Sequence, residues 1–175
     1  MMIACGQSEE EFDEKMTEAL LTAALTICYD AKIHDEVSSA WRDGIFRNVT
    51  PSGKTCYDFN EAIDEICDSL EEYGYIEKAK DNNRELIRLI SDMNPAPSSR
   101  KDCYDDLVAI GTKVSELTRM TAYIEGNYNE YKNKPKALFD DLATMMTEFK
   151  IKYGKFLKQI KSEEEIQELK DELEE

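Results

Sequence analysis

From Ser8 to Phe46 the chain holds one helical pattern of about 39 residues that meets no proline, and no glycine until Gly44. Apolar residues recur at Phe12, Met16, Leu20, Ala23, Ile27, Ala31, Val37, Trp41 and Ile45, mostly three or four apart. That is the stripe of a helix burying one face. Ser8 followed by Glu9, Glu10 and Glu11 reads as a capping box, with acids where the helix dipole favours them. A straight helix of this length spans roughly 58 Å, wider than a compact globule of this size. The pattern therefore predicts an all-α fold, an elongated antiparallel bundle with this helix as its spine.

Composition narrows the class. At 175 residues, 41% hydrophobic and 34% charged, the chain is one domain by size, too apolar for disorder and too charged to sit in a membrane. A formal charge of -16 argues against direct nucleic-acid binding, which depends on Lys and Arg neutralising phosphates. It suits a protein partner, of a kind the sequence does not identify.

Residues 1 to 7 stand apart. Met2-Ile3-Ala4-Cys5-Gly6 reads like the end of a lipobox, which makes Cys5 a candidate lipidation site. The basic and long apolar region expected before it is absent, so a clipped or misassigned start is expected. The alternative is an ordinary thiol at a frayed terminus.

The first helix is expected to end near Phe46, with a turn through Asn48, Pro51 and Gly53. Asp58 with Glu61 predicts a boxed cap for a second helix through Phe59, Ile63, Ile66, Leu70 and Tyr73. A kink or short break is expected between Gly74 and Asn83, before Ile76, Leu86, Ile90 and Met93 resume the stripe. After Pro95 and Pro97, a third helix runs from Cys103 to Ile124, with Gly126 as its C-cap. Asn127 or Asn129 opens a fourth, through Leu138, Leu142, Met145, Phe149, Tyr153, Phe156 and Ile160. Pro135 sets its regular start. The bundle thus covers 8–161 with four main helices, followed by an acidic helical extension at 162–175. That extension carries seven of the sixteen net negative charges and only a thin stripe of Ile166, Leu169 and Leu173.

The string Cys28-Tyr29 through Val37-Ser38-Ser39-Ala40-Trp41-Arg42-Asp43-Gly44-Ile45, with Asp58-Phe59-Asn60-Glu61-Ala62-Ile63, Met93 to Pro97 and Gly126 to Tyr131, resembles a pattern in small lipoproteins and phage-type surface proteins of Gram-positive bacteria. The resemblance implies a lipid-anchored protein on the outer face of the cell membrane. It carries no catalytic motif, and exclusion of competing phages would be its role by analogy only.

Candidate chemistry is sparse. On a straight bundle Cys56 sits at the top, Cys67 roughly 15 Å and Cys28 roughly 27 Å below it, and Cys103 near the bottom, too far apart for bridged Cα atoms within about 7 Å. Buried thiols are expected rather than disulfides. His34, the single histidine, has no nucleophile assignable beside it, and one histidine excludes paired Glu-x-x-His di-iron sites. Glu10-Glu11-Phe12-Asp13-Glu14 and Glu61-Ala62-Ile63-Asp64 match the magnesium pairs of all-α nucleotide pyrophosphohydrolases, but the gap between them is too long. No catalytic residue, cofactor or metal is therefore assigned.

Trp41 reads as a packing anchor, and the lysines from Lys150 to Lys161 as a solvated face. Tyr123, Tyr128 and Tyr131 cluster at the Gly126 corner, either packing it or facing a partner, and Glu163, Glu164 and Glu165 offer a second contact to a basic surface. The functional expectation is a non-enzymatic envelope lipoprotein acting by protein contact, touching the membrane only through its anchor. The alternative is a cytosolic acidic inhibitor, a nucleic-acid mimic that blocks a basic partner.

Overall fold

A computed structural model describes residues 7–157, which form an all-α bundle. Cys5, Glu163, Glu164, Glu165 and the whole acidic extension lie outside the described residues. Helix α1 spans Glu9–Arg47. Its capping box closes as read: Ser8 Oγ accepts the Glu11 amide and Glu11 accepts the Ser8 amide, each at 3.2 Å. It stops at Asn48, whose left-handed φ of 52° turns the chain away.

Two helices, not one, descend along α1. Helix α2 (Phe59–Glu72) and helix α3 (Tyr75–Asp92) are separated by Gly74 at φ 74°, a conformation that favours glycine. The break divides the expected second helix fully, so the described residues hold five helices rather than four. Helix α4 (Lys101–Ala122) rises beside α1, and helix α5 (Tyr128–Tyr153) descends. Pro135 lies inside α5 rather than at its start. Asn127, eight residues before it, caps the helix by accepting the Glu130 amide at 3.1 Å. Pro135 has no N–H for the Tyr131 carbonyl, and in the same turn the Lys132 carbonyl accepts from His34 Nε2 at 3.2 Å.

Two cores lie along α1. The lower one joins Phe12, Met16 and Ala23 to Leu86 of α3 and Met93 at its C-cap, Leu107 and Leu117 of α4, and Leu142 and Phe149 of α5. The upper one joins Tyr29, Ile33, Val37 and Trp41 to Ile63, Ile66 and Leu70 of α2, Ile76 of α3 and Tyr131 of α5. Burying each large side chain contributes about 1.5–3 kcal/mol, so these two clusters hold the helices together.

Between the cores sits a polar layer. Asp30, fully buried, accepts hydroxyl hydrogens from Thr118 at 2.7 Å and Thr121 at 2.6 Å. The Tyr131 hydroxyl donates to the Thr121 carbonyl at 3.3 Å. At the foot, Arg100 grips buried Asp13 with Nε at 2.8 Å and Nη2 at 3.1 Å, reaches Glu9 at 3.3 Å and lies 3.7 Å from the centre of the Phe156 ring. One guanidinium thus ties the start of α1 to the α3–α4 corner and to the short turn after α5.

Cys28, Cys56, Cys67 and Cys103 form no disulfide. Cys56 and Cys103 are buried and Cys67 half-buried, but Cys28 is exposed, contrary to the expectation of buried thiols. It falls just off the inward face, which passes through Thr26, Tyr29 and Asp30.

Candidate functional site

The upper end of the bundle opens into an aromatic cleft of about 920 Å³, within the range of small-molecule and side-chain binding sites. Four rings from three helices shape it. Trp41 lies nearly parallel to Phe59 with centroids 6.3 Å apart, Tyr128 meets Trp41 edge-on at 6.2 Å, and Phe46 meets Tyr128 edge-on at 6.4 Å.

Local backbone chemistry brings these rings together. Gly44 lets α2 approach α1 closely, since a Cβ there would stand 3.2 Å from the Phe59 Cα and 3.1 Å from the Ala62 Cβ. Asp58 starts α2 at that point, accepting the Asn60 amide at 2.9 Å rather than forming the expected box with Glu61. On the other side the chain leaves α4 at Ala122 and turns at Gly126, φ 87°, which sets Tyr128 over the cleft mouth. The loop after α1 is fastened to α2 by the Ser52 amide, which donates to Glu65 at 2.6 Å. Hydrogen bonds from Ser52 hold the Glu65 carboxyl below its ordinary range.

The cleft is apolar on one side and polar on the other, with a single carboxylate. Asn60, Asn127 and Asn129 supply neutral polar groups, and Asp64 is the one charged residue lining it. Phe46 is 71% exposed, Phe59 40% and Ile45 38%, so large apolar surface stays uncovered. Cys67 lies in the same wall. Burial first, and then the carboxylates of Asp64, Glu71 and Asp68, push its thiol up to about 11.

The tyrosine cluster expected at the Gly126 corner divides three ways. Tyr128 lines the cleft. Tyr123 is 58% exposed on another face, with the Lys80 ammonium 5.1 Å from its ring centre. Tyr131 takes the packing alternative and is no partner contact: it is 3% exposed, packed on Trp41 and His34 at 5.7 and 5.6 Å. Three residues past Tyr128, it points into the upper core.

Phe46 and Phe59 are the site residues that pattern reading misses. Ile45-Phe46 is a signal for them, because neighbours about 100° apart on a helix cannot both face one narrow core.

Other candidate chemistry is dispersed. Asp13 is held by Arg100 at the foot, whereas Asp64 lines the cleft, so the two carboxylate pairs lie at opposite ends of α1. His34 is buried, and Nε2 gives its hydrogen to the Lys132 carbonyl. That nitrogen is committed, although the Ser38 hydroxyl stands 3.5 Å away. Among the described residues no group of three His, Cys, Asp or Glu side chains could hold a metal ion, and no helix is long and apolar enough to cross a membrane. Comparison of the chain with protein-family models, curated proteins and solved structures finds no match.

Proposed function

We propose that the protein is a non-enzymatic binding module of the cell envelope, tethered through Cys5, that acts by seating part of another protein in the aromatic cleft. The observation that carries this is the uncovered aromatic surface around Trp41. Phe46 and Phe59 give up burial that helix packing would otherwise provide, and exposed apolar patches of this kind mark interaction sites.

The test compares the wild-type chain with Phe46→Ala, a variant that leaves the core intact because Phe46 is largely exposed. Capture of a partner from host envelope, lost with Phe46→Ala, supports the reading. Equal capture by both proteins refutes it. The tether is tested separately by intact mass after fractionation of the host: a membrane species beginning at diacylated Cys5 supports it, and a soluble species beginning at Met1 overturns it.

One observation favours the acidic-inhibitor reading: Glu61, Asp64, Asp68 and Glu71 line up on the exposed side of α2. A nuclease or DNA-binding protein as the captured partner would make that reading the stronger one.

A further inference from the structure

We propose that the segment seated in the cleft is cationic: a stretch of partner chain with an aliphatic or aromatic anchor between Phe46, Phe59 and Tyr128, and flanking Lys or Arg side chains laid along α2. This rests on the protein-docking reading above and adds the chemistry of what docks.

Helix α2 carries the argument. Its sequence, FNEAIDEICDSLEE, holds six acids and no base. Glu61, Asp64, Asp68 and Glu71 follow one another at spacings of three or four, which places them on one face, and all four are exposed. Among the described residues none of these four meets a Lys or Arg. The neighbouring helix α3 shows the contrast, with Arg84 taking Glu77 and Asp81, and Arg88 taking Glu85 and Asp92. Like charges at this spacing repel. On α3 the chain neutralises its own acids, while on α2 it leaves them to an outside cation.

The stripe and the cleft are continuous, because Asp64 belongs to both. No Lys or Arg lines the cleft; the chain's own Lys132 ammonium stands 5.8 Å from the Tyr128 ring centre, and the exposed rings of Phe46 and Phe59 remain to attract cations as well as apolar groups. A volume of about 920 Å³ admits a few side chains, not a folded domain. The negative field is already felt inside the wall, where Asp64, Glu71 and Asp68 all disfavour the Cys67 thiolate.

The test is a selection of randomised displayed peptides on the full chain, followed by titration of recovered peptides against the emission of Trp41, the single tryptophan and a wall of the cleft. Recovered sequences are expected to place Lys or Arg beside an aromatic or aliphatic residue. Their binding should weaken about tenfold or more with Phe46→Ala and with the double variant Asp64→Asn/Asp68→Asn. It should persist with Asp105→Asn/Glu148→Gln, which makes the same change in net charge at the far end of the bundle.

Equal weakening by the two double variants would assign the effect to overall charge and overturn the proposal. Peptides without charge bias that still depend on Phe46 would also overturn it, while leaving the docking reading standing. Recovery of no Phe46-dependent peptide would remove both.

Discussion

Replacing Asp30 with asparagine is expected to stabilise the protein at neutral and alkaline pH and to leave it nearly unchanged in acid. Asp30 is fully buried and has two threonine hydroxyls as its partners, with no cation among the groups that set its charge. Burial pushes its carboxyl from 3.8 up to about 7, against a smaller pull from Thr121 and Thr118. Between those two values the folded chain keeps a proton that the unfolded chain releases. Stability from this group is therefore complete below about pH 4 and is lost as pH rises through about 7. A difference of about three units corresponds to about 4 kcal/mol.

The Asp30→Asn amide has nearly the same shape and no charge. Thr121 can accept from it and turn its own hydrogen to the Leu117 or Thr118 carbonyl, which lie at 3.2 and 3.3 Å. Urea unfolding of both proteins at intervals from pH 4.5 to 8.5 isolates the effect, because other carboxylates are common to both. The gap in stability should open from about pH 4, level off near pH 7 and reach about 2–4 kcal/mol in favour of Asp30→Asn. Parallel curves across that range would refute the reasoning, showing that Asp30 does not hold a proton in the fold.

Two further substitutions probe the ends of the rod. Arg100→Met leaves Asp13 buried without its cation and should cost about 3–5 kcal/mol. Asp13→Leu/Arg100→Met, which removes both charges, should cost much less, and urea midpoints of the two proteins make the comparison. Gly44→Ala forces α2 off α1 at Phe59 and should cost about 1–2 kcal/mol while changing Trp41 emission. Unchanged stability and emission would mean that α2 yields freely at that contact.

The gross architecture was legible because apolar spacing is a direct record of burial. Phe12, Met16, Ala23, Val37 and Trp41 fall inside as their spacing requires. In the middle of α1 the apolar stripe catches only part of the buried face: Ile27 packs half-buried against the lower core, while the fully buried face runs Ala23, Thr26, Asp30, Ile33 and Val37. Two of those five are polar, and polarity ordinarily means solvent. Thr26 satisfies its hydroxyl locally, on the Thr22 carbonyl at 2.7 Å, but the burial of Asp30 depends on Thr118 and Thr121, some 90 residues away, a pairing that no local window contains. The spacing was nonetheless present: Thr26 and Asp30 stand three and seven residues beyond Ala23.

The cleft was less legible than the fold. Its rings come from α1, α2 and α5, and they meet because Gly44 admits a close helix approach that a propensity reading scores only as a weak helix residue. Pro135 does not start α5, because the Asn127 cap and the packing of Tyr131 sustain the turn before it. Gly74 conveyed the opposite lesson, breaking the helix where it stands.

The stacking of two cores along a shared spine has a consequence for how the molecule comes apart. Helix α2 contributes only to the upper cluster, while the buried faces of α4 and most of α5 close the lower one. A fluctuation that lifts α2 from Gly44 exposes the binding end and leaves Phe12, Leu107 and Phe149 packed. The upper half can therefore trade order for fit, drawing on a local opening energy smaller than that of the whole chain, while the foot clamped by Arg100 stays a fixed base.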